Sequence, residues 1–174
     1  MNVLGIVGSL RTHSYNKALM HAFVLEKPEG VVMEIADISV LPFYNEDIEA
    51  NFPEAAQKLK TQIEHADLII IATPEYNRSV PGVLKNAIDW ASRPYGTNSF
   101  AGKKVLVVGA SSGTIGAALG QYDLKKMLLH SNAIVFGQPE FFVGNAGSKC
   151  DEEGNLTDEG TREHIAGAWK AILA

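Results

Sequence analysis

The residues able to do chemistry concentrate in three short segments. The first, Gly8-Ser9-Leu10-Arg11-Thr12-His13-Ser14-Tyr15-Asn16, places a turn-former, aliphatic hydroxyls, an arginine and an asparagine just ahead of a helical pattern. Free N–H groups at a helix start attract anions, and hydroxyls with a guanidinium add donors around the same point. That donor set suits a phosphate monoester. The segment lacks the Gly-Lys-Ser/Thr ending of a nucleoside triphosphate loop and the Gly-x-Gly-x-x-Gly turn of dinucleotide sites. Taken alone, Ser14 reads as a helix cap and Arg11 as a solvated charge. The other two segments shift the balance toward a ligand.

The second segment is Thr73-Pro74-Glu75-Tyr76-Asn77-Arg78-Ser79-Val80-Pro81-Gly82. Its prolines fix φ and stiffen the loop, and Pro81 stands where the next helix begins. A rigid loop offering a carboxylate, an aromatic ring, an amide and backbone N–H groups suits a flat heterocycle with a polar edge. Without such a ligand it is a pair of turns with Tyr76 half buried. In the third segment, Gly109 to Gly116, the small residues Ser111, Ser112 and Gly113 let a ligand approach the backbone closely. Gly109-Ala110-Ser111-Ser112-Gly113 also fits a Gly-x-Ser-x-Gly nucleophile elbow, and His164 with Asp151 or Asp158 satisfies the chain order of a hydrolase triad. That alternative leaves the first two segments without a task and puts its histidine inside a helix, beside core-facing Ile165.

These segments need elements to hold them. Val3 to Val7, Val31 to Ala36, Leu68 to Ala72, Val105 to Val108 and Ala133 to Phe136 are short apolar runs that read as buried strands. Helical stripes separate them: Tyr15, Leu19, Ala22 and Phe23; Phe52, Ala56, Leu59 and Ile63; Leu84, Ala87, Ile88 and Ala91; Leu124, Met127 and Leu128. Ile165, Ala168, Trp169 and Ile172 close the chain. Alternation of this kind predicts a three-layer, doubly wound α/β fold around a five-stranded parallel sheet, with Leu68–Ala72 central. In such a sheet ligands sit beyond the carboxyl ends of the strands, where all three segments fall.

The chain of 174 residues, 46% hydrophobic and 20% charged, has the length and balance of one compact domain spanning residues 1–174. A net charge of −5 without a basic block argues against nucleic acid or an anionic membrane as partner. Cys150, the one cysteine, forms no internal disulfide, and no apolar run is long enough to span a membrane. The amino terminus runs straight into a strand pattern without a basic region, so a cytoplasmic protein is expected. His13, His21, His65, His130 and His164 are scattered and show no metal-ligand spacing, so no metal site is expected. On the third helix Val83 and Trp90 point away from the core-facing stripe, which predicts a second subunit packed there.

The chain resembles the NAD(P)H-dependent FMN reductase family, a flavodoxin-like group that includes quinone, azo-dye and chromate reductases. The likeness is carried by Gly8-Ser9-Leu10-Arg11 with Ser14 and Asn16, and by Thr73 to Asn77 running into Ser79 through Trp90. Ser111-Ser112-Gly113, Gln121-Tyr122 and Pro139-Glu140-Phe141 extend it over nearly the whole chain. The resemblance implies a sheet of strand order 2-1-3-4-5. It implies that Ser9, Arg11, Ser14, Tyr15 and Asn16 hold the FMN phosphate and its approach. Pro74, Glu75, Tyr76 and Asn77 would line the isoalloxazine ring, with Ser111, Ser112 and Gly113 closing the other side. Arg78, beside the ring mouth, would favour the reduced flavin anion or the 2′-phosphate of NADPH.

The expected activity is therefore hydride transfer from NADPH or NADH to FMN, then electron delivery to quinones, free flavin, azo compounds or chromate by ping-pong kinetics. No catalytic acid or base is assigned, because the flavin carries the chemistry. A homodimer or homotetramer is implied, with active sites built from two chains. The alternatives are a flavodoxin-like electron carrier without NAD(P)H oxidation and, less favoured, a serine hydrolase using Ser111.

Overall fold

The computed structural model describes residues 1–173. Strands β1 (Asn2–Val7), β2 (Val32–Ala36), β3 (Leu68–Ala72), β4 (Lys104–Ala110), β5 (Ile134–Val135) and β6 (Phe141–Val143) alternate with helices α1 (Tyr15–Leu25), α2 (Glu54–His65), α3 (Gly82–Ala91), α4 (Ala118–His130) and α5 (Glu159–Leu173). All pairings are parallel and the order is β2-β1-β3-β4-β5, the flavodoxin-like arrangement. The fifth strand position is shared by two pieces. β5 pairs with Lys104 and Val105 of β4, and β6 resumes the pairing at Val108 to Ala110.

Side-chain alternation along the strands sorts the core into two layers. Val3, Leu68, Ile70, Leu106 and Val108 meet Leu19 and Phe23 of α1 and Ile165 and Trp169 of α5 on one face. Leu4, Ile6, Ile69, Ile71, Val105 and Val107 meet α2, α3 and α4 on the other. Every residue of β3 is at most 1% exposed, as a central strand covered on both faces requires.

Two expectations change. Phe52 lies outside α2, just after a 3₁₀ turn over Glu46–Asn51. Trp90 does not face a second subunit. It is fully buried beneath the loop leading to that turn, set edge-on to Tyr44 and Phe52 with both ring centroids 5.1 Å away. Its indole N–H donates to the Pro42 carbonyl at 2.7 Å, and the Asn86 amide donates to the same oxygen at 2.9 Å. A loop without periodicity supplies the cover that the third helix needs on its outer side.

Candidate functional site

The three chemical segments follow β1, β3 and β4, which are neighbours in the sheet, so they converge at one edge. In the first, Ser14 caps α1 by accepting from the Asn16 N–H at 3.2 Å. The backbone N–H groups of Ser9 to His13 donate to no backbone carbonyl among the described residues. Ser9 and Ser14 are each 4% exposed, so their hydroxyls belong to the wall of this turn. The Arg11 guanidinium lies 4.8 Å from the Tyr15 ring centroid and pairs with no carboxylate among the described residues. An unneutralised cation beside unpaired N–H donors at a helix start is a donor set that fits a phosphate.

Asn16 does something different. It is 2% exposed, and its amide donates to the Ala110 carbonyl at 2.9 Å while accepting from the Ala110 N–H at 3.0 Å. Both ends of the side chain are engaged in joining α1 to the end of β4, so Asn16 holds the first segment against the third.

The second segment is a tight hairpin. Tyr76 and Ser79 exchange backbone hydrogen bonds at 3.0 and 3.1 Å, with Asn77 at φ 52 and Arg78 at φ 66 between them. That is the twist of a two-residue hairpin turn with positive φ at both central residues. Asn tolerates it readily; Arg does so at a cost. Tyr76 stands 52% exposed at its rim.

The Glu75 carboxylate turns away from the hairpin and accepts from the N–H groups of Leu119 at 3.0 Å and Gly120 at 3.1 Å, in the first turn of α4. The residue at the α4 cap position is Ala117, which has no side-chain acceptor. Glu75 therefore caps α4 from another loop and places its charge at the positive end of the helix dipole. Arg78 leans back on the same carboxylate at 3.3 Å. At the far end of the hairpin the Ser79 hydroxyl donates to Asp123. The Lys126 ammonium and this hydroxyl hold the Asp123 carboxyl below its ordinary range.

The third segment is fixed backbone to backbone. Ser111 N–H donates to Val143, Asn145 N–H to Gly113 and Ala146 N–H to Ser111, all at 3.0 Å. A Cβ at Gly116 would stand 2.2 Å from the Phe142 carbonyl carbon, and one at Gly144 2.2 Å from the Thr114 oxygen, so both close approaches require glycine. Ser112 and Gly113 are left exposed at the edge. The pinning segment, residues 142–146, was not singled out from sequence; Gly144 was the available signal.

The hydrolase constellation is not assembled. The Ser111 hydroxyl donates to the Gly113 carbonyl at 3.1 Å, and the His164 ring bonds the Glu140 carbonyl at 2.9 Å. Asp151 is engaged by Asn155 and Asp158 by Thr161. Ser111 also lacks the positive φ of a strained elbow. A groove of about 740 Å³ between α3 and α4 is separate from the three loops, and its lysines and arginine are already paired: Lys85 with Asp89, Arg93 with Glu49, Lys126 with Asp123. Among the described residues no three His, Cys, Asp or Glu side chains gather as a metal-binding group, and no helix is long and apolar enough to cross a membrane.

Comparison with known proteins agrees with this fold. The sequence profile of the family described as NADPH-dependent FMN reductase matches residues 1–148. The chain is 44% identical over 173 residues to an NAD(P)H-dependent FMN reductase of Pseudomonas aeruginosa, covering 99% of this chain and 93% of that protein. It is 42% identical over 178 residues to a quinone reductase of Escherichia coli K12, with coverage of 99% and 93%. Among solved structures, FerB of Paracoccus denitrificans, a flavoenzyme NAD(P)H:(acceptor) oxidoreductase, superposes with a TM-score of 0.91 at 42% identity, covering 99% of this chain and 94% of that one.

Proposed function

The chain belongs to the NADPH-dependent FMN reductase family and is an FMN-dependent oxidoreductase that draws electrons from NAD(P)H; from that premise we propose that quinones are its acceptors and that the three converging loops are its flavin site. The observation that carries the site is the unpaired Arg11 beside the free N–H groups of Ser9 to His13, facing the same sheet edge as the Tyr76–Ser79 hairpin.

FMN, when bound, supplies the hydride-accepting and electron-donating chemistry, and the protein orients it. Ser9, Arg11 and Ser14 hold the phosphate, with Tyr15 stacked under the guanidinium. Pro74, Tyr76 and Asn77 line the ring through backbone and rim, and Ser111, Ser112 and Gly113 close the opposite side. Asn16 and Glu75 keep these loops in register from behind. The N–H groups of Glu75 and Asn77, which donate to no backbone carbonyl among the described residues, would serve as donors beside the ring, where such groups favour developing negative charge. Donor and acceptor use one open face in turn, which gives ping-pong kinetics. Free flavin, azo compounds and chromate are further acceptors that an open face of this kind admits. Arg78, already leaning on Glu75, adds positive charge at the rim that favours reduced flavin.

The assembly is a homodimer or homotetramer within this proposal, and its contact face is on α4 rather than α3. Leu119, Tyr122 and Leu129 are 45%, 55% and 62% exposed, and their spacing of three and seven puts them on one side of the helix, next to the hairpin that Glu75 ties down. Cytoplasmic placement, where NAD(P)H is supplied, completes the reading. The test is steady-state kinetics of NADH and NADPH oxidation with a series of benzoquinones. Parallel double-reciprocal lines are expected, and intersecting lines would contradict the shared face.

A further inference from the structure

The Tyr76–Ser79 hairpin holds a conformation that its own residues resist, because Arg78 at φ 66 carries a long side chain into the left-handed region. Contacts from outside must hold it, and α4 supplies them at both ends. Gly120 lets the helix pass directly behind the hairpin: a Cβ there would stand 3.2 Å from the Ser79 carbonyl oxygen and 3.3 Å from the Glu75 Cα. Leu124 and Leu128, fully buried against the sheet, fix the helix itself. Glu75 ties one end of the hairpin by capping α4. Asp123, about one turn further along α4, ties the other end through the Ser79 hydroxyl, and this second tie neither caps a helix nor belongs to the core.

The Asp123 carboxylate is built for that task. Its Oδ2 accepts from the Ser79 hydroxyl and its Oδ1 meets the Lys126 ammonium at 2.5 Å, so each oxygen has its own partner. The Lys126 hydrogen bond, the larger cause, and that from Ser79 keep the carboxyl ionised at neutral pH. A charged acceptor makes the stronger bond to a hydroxyl. Ser79 in turn closes the hairpin, exchanging backbone hydrogen bonds with Tyr76, so holding its side chain fixes the turn between them. The direction of the Asn77 N–H, which donates to no backbone carbonyl among the described residues, is fixed with it. Building on the reductase reading, we propose that Asp123 is a positioning residue for the flavin: through Ser79 it keeps the hairpin N–H groups aimed at the ring, where they favour the reduced form over the oxidised one. Its own negative charge works in the opposite direction, because it opposes the negative charge that reduction brings. Positioning and through-space charge therefore predict shifts of opposite sign.

The test measures the midpoint potential of the bound flavin, by anaerobic titration of the FMN-loaded protein against an indicator dye, together with the affinity for oxidised FMN. Asp123→Ala is expected to weaken the binding of reduced FMN about tenfold more than that of oxidised FMN, which makes the potential more negative by about 30 mV for a two-electron couple. Ser79→Ala, which leaves the carboxylate charge in place, is expected to shift it the same way, and the double variant no further than either single one. Asp123→Asn removes the charge but keeps an acceptor for the hydroxyl, and is expected to recover the wild-type potential or exceed it. A potential unchanged or more positive in Asp123→Ala, no shift in Ser79→Ala, additive shifts in the double variant, or a fall in Asp123→Asn as large as in Asp123→Ala would overturn the proposal. Should Asp123→Ala fail to fold, Ser79→Ala and Asp123→Asn decide the question. A wild-type protein that takes up no FMN contradicts the reductase reading and this proposal together. FMN taken up with a potential indifferent to these variants contradicts this proposal alone.

Discussion

Glu75 and Asn16 show how a residue's type can be legible while its direction is not. Both sit in segments whose composition points to a ligand, and both were expected to touch one. In the fold the Glu75 carboxylate caps α4, and the Asn16 amide embraces Ala110. The hint for Glu75 was a negative one, since the residues before α4 include no capping side chain at Ala117. Glu75→Ala should lower stability by about 1 kcal/mol, the usual worth of a lost cap, while Glu75→Gln, which still accepts, should recover much of it. Asn16→Ala strands a buried N–H and carbonyl and should cost about 1–3 kcal/mol. Urea denaturation measures both, and FMN titration should show weaker binding in each, because the loops they register are the ones proposed to hold the flavin.

At the scale of elements, apolar runs placed the central strands within a residue or two, because burial on both faces leaves a strong pattern, whereas the 3.6-residue stripes found the helices but began well inside α4 (Ala118–His130) and α5 (Glu159–Leu173), at Leu124 and Ile165. β6 escaped because Phe141–Val143 is too short to make a pattern of its own. The cover over Trp90 escaped because the loop above it works through Pro42 and Tyr44, whose partners lie more than 40 residues along the chain. Lys60 is a similar case on α2. It is 5% exposed, and its ammonium donates to the carbonyls of Ala91 at 3.2 Å and Thr97 at 2.6 Å, closing the carboxyl end of α3. Lys60→Met should destabilise by about 1–3 kcal/mol, since the Thr97 carbonyl loses its donor while that of Ala91 keeps only the Ser99 N–H. Burial lowers the Lys60 pKa below its ordinary 10.5. The unfolded chain thus binds the proton more tightly, and this residue's contribution to stability should rise with pH in the alkaline window approaching 10.5. Comparing wild type with Lys60→Met by denaturation from pH 8 upward, in steps of about one unit, checks that sign.

For the whole molecule, Asp37, Asp123, Asp151 and Asp158 all titrate below the usual 3.8, held there chiefly by Ser39, Lys126, Asn155 and Thr161 respectively. Depressed folded-state values mean that the unfolded chain takes up protons first on acidification. The stability these groups contribute is present above about pH 4 and is lost progressively below it. The urea midpoint should fall below that point without a matching fall between about pH 5 and pH 7. The α4 face gives a second test at this scale. Leu129→Glu, at an exposed position, should leave subunit stability within about 0.5 kcal/mol while shifting the sedimentation coefficient to that of a single chain. Sedimentation unchanged by this variant would place the subunit contact elsewhere.

The flavin-reductase reading of this protein requires that the edge formed by the loops after β1, β3 and β4 bind FMN and let NAD(P)H reduce it. The direct measurement is the visible spectrum of the FMN-loaded protein during anaerobic addition of NADH and then, separately, NADPH, followed by a quinone. Flavin bands are expected to survive gel filtration, bleach with at least one donor and return on adding the quinone. A protein that emerges from gel filtration without flavin after incubation with FMN, or whose bands persist with both donors, would contradict that reading.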